Sequence, residues 1–318
     1  MIDYSVFYKR SINSGNLANE VGAFDIFVSA FNFSERISLV FDSVNAVRKI
    51  YHVHPEYQFE SHDVPRGPWL VSAPGDIDEM AQMNELINTI GLVSGGERIC
   101  IDITGFMRSS LCFLLAKLRS LGFRHVSAIY SEPKAYSKQD NTSFSVTTTG
   151  AVRPVRGMAG SGGRTKVRDY LIVGVGYDHA LVGEVLHNKD GAVTYPIFGF
   201  PSLSPDMYQQ SAVRAARSGD KALDGSWVVK RRFAPANDPF ATAAIIAETV
   251  GGIRRSDPTG HIYLSPLSTK AQTLGFALYW MLEGQRDGSV TMLLPECDGY
   301  SRETSSGLNK VWLYDVEM

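Results

Sequence analysis

Residues 99–136, ICIDITGFMRSSLCFLLAKLRSLGFRHVSAIYSEPKAY, read as an apolar strand, a short loop, an apolar helix and a second strand. The same order of parts returns at residues 261–300, HIYLSPLSTKAQTLGFALYWMLEGQRDGSVTMLLPECDGY. In each, a loop of small and hydroxylic residues ends in a cation where the helix begins, Arg108 in one and Lys270 in the other. Setting these cations opposite each other brings Glu132 and Tyr136 within about two residues of Glu296 and Tyr300, a drift that divergent repeats tolerate in their loops. Two copies of one fold unit are the simplest account.

Outside these stretches the alternation continues. Residues 24–31, FDIFVSAF, form a strand, and Asn32 or Ser34 caps an amphipathic helix running to Val47. The strand at 49–59 meets Pro55, which cannot donate to a ladder. A helix is expected over 76–92, where Asp76, Asp78 and Glu79 suit the positive end of its dipole and Ile77, Met80, Met83, Leu86 and Ile87 recur at helical spacing. The second copy opens with YLIVGV at 170–175 and a helix, then a strand at 192–198, a helix at 204–217 capped by Ser204, a strand at 227–233, and a helix from Asp238 to Val250. Residues 137–168 are rich in Ser, Thr, Gly and Arg, which places a linker near Ser161. One further strand is expected for each copy, 143–149 for the first and 310–316 for the second.

Strands and helices alternating in this way define an α/β fold with mainly parallel sheets. The expectation is two tandem Rossmann-like domains, residues 1–160 and 161–318, related by pseudo-two-fold symmetry. A chain of 318 residues with 44% hydrophobic and 20% charged residues has the length and balance for two such domains. Its net charge of −2 argues against a dedicated nucleic-acid binder, and the run Lys230-Arg231-Arg232, without interleaved aromatics, reads as a solvated face. Cys100, Cys112 and Cys297 lie in apolar runs with no CxxC spacing and read as reduced core thiols. No stretch approaches the roughly 18 apolar residues of a membrane span, so a cytoplasmic protein without membrane contact is expected. His52 and His54 share a strand face but have no further ligands at metal-site spacing, and GxSxG, HExxH, Walker A and GxGxxG motifs do not occur. Neither a metal nor a cofactor is expected.

In open parallel sheets, ligands bind beyond the carboxyl ends of the strands, where helix N-termini present unpaired N–H groups and a positive dipole. Loops 104–109 and 265–270 fall there. Thr104, Ser109, Ser265, Ser268 and Thr269 supply hydroxyls, Gly105 permits close backbone approach, and Arg108 and Lys270 supply charge, which together suit a phosphate. Asn32, Ser34, Glu35 and Arg36 follow the first strand of one copy, and Tyr177, Asp178 and His179 that of the other, so both groups share this edge. Tyr136 and Tyr300 are candidates to stack on bases, and Glu132 and Glu296 to bind ribose hydroxyls. The same residue types also serve as helix caps and solvated edges in a purely structural α/β protein.

Asp102-Ile103-Thr104-Gly105 followed by Arg108 resembles the CARF domain family, whose signature after the fourth strand is Asp-x-Thr-Gly-Gly-Thr-Lys. Ser268-Thr269-Lys270 resembles the end of that signature, with Ser268 where glycine is expected. Phe106 and Met107 depart from it in the first copy, as do Leu264, Pro266 and Leu267 in the second, so each copy keeps a different half. The resemblance implies CARF-like halves and a nucleotide sensor, with a cyclic oligonucleotide held in a cleft between them, as in the similar fused SAVED domains, in prokaryotic antiviral defence. With no recognisable effector domain, such a sensor acts through a protein effector partner or as a homo-oligomer. Two other classes stay open: an enzyme cleaving a phosphodiester or N-glycosidic bond, with Asp178, His179 or Glu35 in acid–base roles, and a non-catalytic scaffold subunit of a defence complex.

Overall fold

The apolar runs become the central strands of two sheets. The computed structural model describes residues 2–92, 95–136, 145–161, 168–204, 207–217, 225–302 and 305–318. Its strands are β1 (Tyr8–Ile12), β2 (Ala23–Ala30), β3 (Asn45–His52), β4 (Leu70–Ser72), β5 (Ile99–Asp102), β6 (His125–Tyr136), β7 (Ser145–Pro154), β8 (Asp169–Val175), β9 (Val193–Gly199), β10 (Arg232–Ala234), β11 (His261–Pro266), β12 (Val290–Tyr300) and β13 (Ser305–Glu317). Its helices are α1 (Leu17–Glu20), α2 (Glu35–Ser43), α3 (Glu79–Ile90), α4 (Arg108–Ser120), α5 (His179–Asn188), α6 (Met207–Arg217), α7 (Gly225–Lys230), α8 (Pro239–Ser256), α9 (Lys270–Tyr279) and α10 (Gln285–Asp287).

The first sheet runs β1-β13-β6-β5-β2-β3-β4 and the second β10-β9-β8-β11-β12-β7. Strands β2 to β6 are mutually parallel, as are β8 to β12, whereas β13 lies antiparallel to β1 and β6. Read from β4 and from β10, the two sheets have one order, the doubly wound 3-2-1-4-5-6 arrangement. β5 and β8 are buried along nearly their whole length, as strands of a covered parallel sheet must be.

The sixth position is exchanged. β13, from the end of the chain, completes the first sheet, and β7 completes the second, the reverse of the expectation for residues 143–149 and 310–316. Two compact units result, Phe7–Thr147 with Cys297–Met318, and Met1–Val6 with Thr148–Glu296. The N-terminal residues are anchored in the latter by Tyr4, whose hydroxyl donates to Glu283 Oε1 at 3.1 Å. Burial raises the Tyr4 phenol, and the Glu283 charge adds to the effect.

Other differences from the sequence reading are local. The expected strand at 227–233 is helix α7 followed by the short β10, because Trp227 turns inward while Val228 and Val229 stay exposed. α2 ends at Ser43, before Val47, and β3 ends at His52, after which Pro55 opens a single 3-10 turn. α3 begins only after Asp78, whose carboxylate caps it by accepting from the N–H groups of Met80 and Ala81. Met83, Leu86 and Ile87 are buried, whereas Ile77 and Met80 are not. The linker expected near Ser161 adjoins residues 162–167, and the helix expected from Ser204 crosses 205–206; both segments lie outside the described residues. Among the described residues, no helix is long and apolar enough to cross a membrane.

Candidate functional site

In each sheet the fourth strand leads by a short loop into the helix that follows, and the first residue of that helix is the cation: Arg108 for α4 and Lys270 for α9. Both loops therefore lie at the carboxyl edge, where the sheet order switches direction. Each crosses the end of its neighbouring first strand with no space for a side chain. A Cβ on Gly105 would stand 2.2 Å from the carbonyl oxygen of Ala30, the last residue of β2. In the second unit the glycine is on the other partner: a Cβ on Gly176, just after β8, would stand 2.4 Å from Leu267 O.

The first unit builds a buried polar network beneath its loop. Asp102 accepts from Ser29 Oγ at 2.9 Å and from the Thr104 N–H at 3.1 Å. Burial raises its carboxyl pKa, against the pull of these bonds and of the Arg36 charge. Thr104 Oγ1 accepts from the Ser131 N–H at 3.0 Å, and Arg36 donates to Ser131 O and, at 3.2 Å, to Ser34 Oγ. Asn32 accepts from the Ser34 N–H at 2.9 Å and donates to the Tyr57 hydroxyl at 3.3 Å. Asn32, Ser34, Arg36, Thr104 and Gly105 thus converge on one edge. The Thr104 hydroxyl, read as a ligand contact, is buried and already bonded. Arg108 and Ser109 are half-buried at the start of α4.

A second network ties the same loop to β3 and α3, and only the fold reveals it. The Met107 N–H donates to His54 Nε2 at 3.1 Å, so His54 carries its proton on Nδ1 and donates it to Gln82 Oε1 at 2.8 Å. His52 reaches the same oxygen through Nε2 at 3.3 Å and meets Ser72 Oγ at its Nδ1. The Gln82 amide in turn donates to the Glu56 carboxylate and to Ile77 O. Burial pushes the His52 pKa down to about 4, with the Gln82 bond opposing it. Both imidazoles are completely buried, and among the described residues no group of His, Cys, Asp and Glu is placed to hold a metal ion.

Aromatic rings border this edge. Phe33 and Phe59 lie 4.9 Å apart, Tyr57 stacks on Phe59 at 5.3 Å, and Tyr300 meets Tyr57 at 5.8 Å. The Arg302 guanidinium sits 5.1 Å from the Phe59 ring centre and donates to Tyr57 O at 3.0 Å. Tyr300 and Arg302, read as part of the second copy, belong to the first unit because the exchanged segment carries them there. The aromatic residues of the stretch 49–59, KIYHVHPEYQF, are the signal the sequence offers for this cluster. The side chain of Tyr136 lies outside the described residues.

In the second unit Asp178 caps α5, accepting from the Leu181 N–H at 3.5 Å; His179 is exposed; and the Tyr177 hydroxyl donates to Gln210 Oε1 at 2.8 Å. Thr269 caps α9, accepting from the Gln272 N–H at 3.1 Å and donating to Ala236 O. Ser268 is buried and Lys270 half-buried. Ser265 lies fully buried inside β11, so the loop begins at Leu267 and the Ser265 hydroxyl is not one of its donors. Glu132 accepts from Trp312 Nε1 at 2.7 Å and Glu296 pairs with Arg153, so each acid is held by the exchanged strand of its sheet. No protein-family model, curated protein or solved structure matches the chain.

Proposed function

We propose that the chain binds nucleotide phosphates at loop 104–109 and at loop 267–270 and acts as a sensor or regulatory subunit. The observation that carries this reading is a cation at one topological position in both units, the first helical residue after the fourth parallel strand, where N–H groups and the helix dipole already favour an anion. Thr104 and Thr269 shape the loops, while Arg108, Lys270 and the helix N-termini supply the attraction. Phe33 and Phe59 offer ring faces to a base beside the first loop. The resemblance of residues 102–108 to the CARF signature gives the ligand class, cyclic oligonucleotides, and the setting, prokaryotic antiviral defence through a protein partner or self-assembly.

A thermal-shift screen against cyclic di-, tri- and tetranucleotides, alongside mono- and linear dinucleotides, tests the reading, because a ligand of the folded state raises the melting temperature by mass action. The expected result is a shift with a cyclic species that mass spectrometry recovers intact. Recovery of a cleaved ligand would make the chain an enzyme, and no shift across the panel would favour a scaffold.

A further inference from the structure

The run Lys230-Arg231-Arg232 acquires in the fold what it lacks in the linear sequence. α7 turns Trp227 inward and ends at Lys230, and Arg231 leads to Arg232, the first residue of β10, an edge strand that pairs only with β9 among the described residues. Phe233 follows at 38% exposure, and its ring centre lies 6.1 Å from that of Phe200, which is 55% exposed. The Arg231 guanidinium lies 5.7 Å from the Phe233 ring centre, and that of Arg232 lies 5.8 Å from Tyr195 on β9. Among the described residues no carboxylate pairs with Lys230, Arg231 or Arg232, and Arg232 donates to the backbone oxygens of Lys230 and Arg231. Cations and exposed rings are therefore interleaved in space.

We infer that this β10 edge binds single-stranded nucleic acid. Three cations without acidic partners among the described residues suit a run of phosphates, and two exposed rings offer surface on which unpaired bases stack and a duplex, with its bases already stacked, does not. An acidic protein would satisfy the cations but make no use of the exposed ring surface of Phe200 and Phe233. The surface uses none of the residues assigned above to nucleotide binding, so the two readings stand or fall separately.

The test is fluorescence anisotropy with a labelled single-stranded thymidylate oligomer of about twelve nucleotides, within the usual site size, and a duplex of equal length. The wild-type chain should bind the single strand in preference to the duplex. Arg231→Ala with Arg232→Ala should weaken binding about tenfold and flatten the dependence of log affinity on log salt by roughly 1.4, the loss of two phosphate contacts. Phe200→Ala with Phe233→Ala should weaken it about tenfold with the salt dependence unchanged. Arg124→Ala, an exposed cation of the first unit, should bind as wild type, with circular dichroism confirming that all variants are folded. No binding by the wild-type chain, binding as tight as wild type by either patch variant, or displacement by a polyglutamate peptide as effective as by unlabelled oligomer would overturn the inference, the last in favour of an acidic protein partner.

Discussion

The two units build the same switch point from different chemistry. In the first, Asp102 stands across the β5–β2 ladder from Ser29 and gathers the hydrogen bonds that shape the loop. In the register that sets Arg108 against Lys270, the counterpart of Asp102 is Leu264, across the β11–β8 ladder from Ile172. A buried hydrogen-bonded carboxylate in one unit is thus an apolar contact in the other. Common to both are the backbone crossing, made possible by Gly105 or Gly176, and the cation that starts the helix. The crossing and the charge are therefore what the two units share, and the network under Thr104 is one of two ways to support them.

The largest expected effect comes from transferring one chemistry to the other unit. Leu264→Asp buries a carboxylate where no donors are provided and should cost about 4 kcal/mol, whereas Asp102→Leu strands Ser29 Oγ and the Thr104 N–H and should cost about 2 kcal/mol. Urea denaturation showing the reverse order would break the comparison. Next are the glycines: Gly105→Ala and Gly176→Ala each force a Cβ against backbone and should cost about 3 kcal/mol, while Gly75→Ala, with open space around it, should cost little. Near-neutral behaviour at either glycine would show that the crossings are not equivalent.

Acid should act on the first unit through His52. Its pKa falls from 6.5 unfolded to about 4 folded, so the unfolded chain takes up the proton first. This contribution is complete above pH 6.5 and is lost as the pH falls towards 4, at a cost of about 3 kcal/mol. Asp102, whose pKa burial raises, works in the opposite sense, since its protonation on acidification favours the folded state. The clean measurement is the pH dependence of stability in Asp102→Asn, compared with the same chain carrying His52→Gln, in which the loss should be smaller by about 3 kcal/mol. The smallest difference lies in the exchanged strands. Trp312→Phe removes a bond to the buried Glu132 and should cost about 1.5 kcal/mol, whereas Arg153→Ala breaks a part-exposed pair with Glu296 and should cost less than about 1 kcal/mol.

The α/β class, the two loops and both helix-initiating cations were legible because long apolar runs and capped helices leave strong local signals. The exchange of β7 and β13 was not, since alternating burial fixes which face of a strand is covered and not which sheet receives it. Ser265 was misplaced because a serine at the end of an apolar run looks like the start of a loop, although β11 continues through Pro266. The histidine network escaped because its members join through Gln82 on α3 and the Met107 N–H, far apart in sequence. The ring beside the basic run at β10 is hidden in the sequence for the same reason: Phe200 reaches Phe233 only in the fold.

The most direct test of the central claim is to repeat the thermal-shift measurement, with the cyclic nucleotide that gives the largest shift, on Arg108→Ala, Lys270→Ala and the double variant. If the two crossings are matched phosphate sites, each single variant should lose part of the shift and the double variant nearly all of it. A double variant that keeps the full shift would contradict the assignment of both loops.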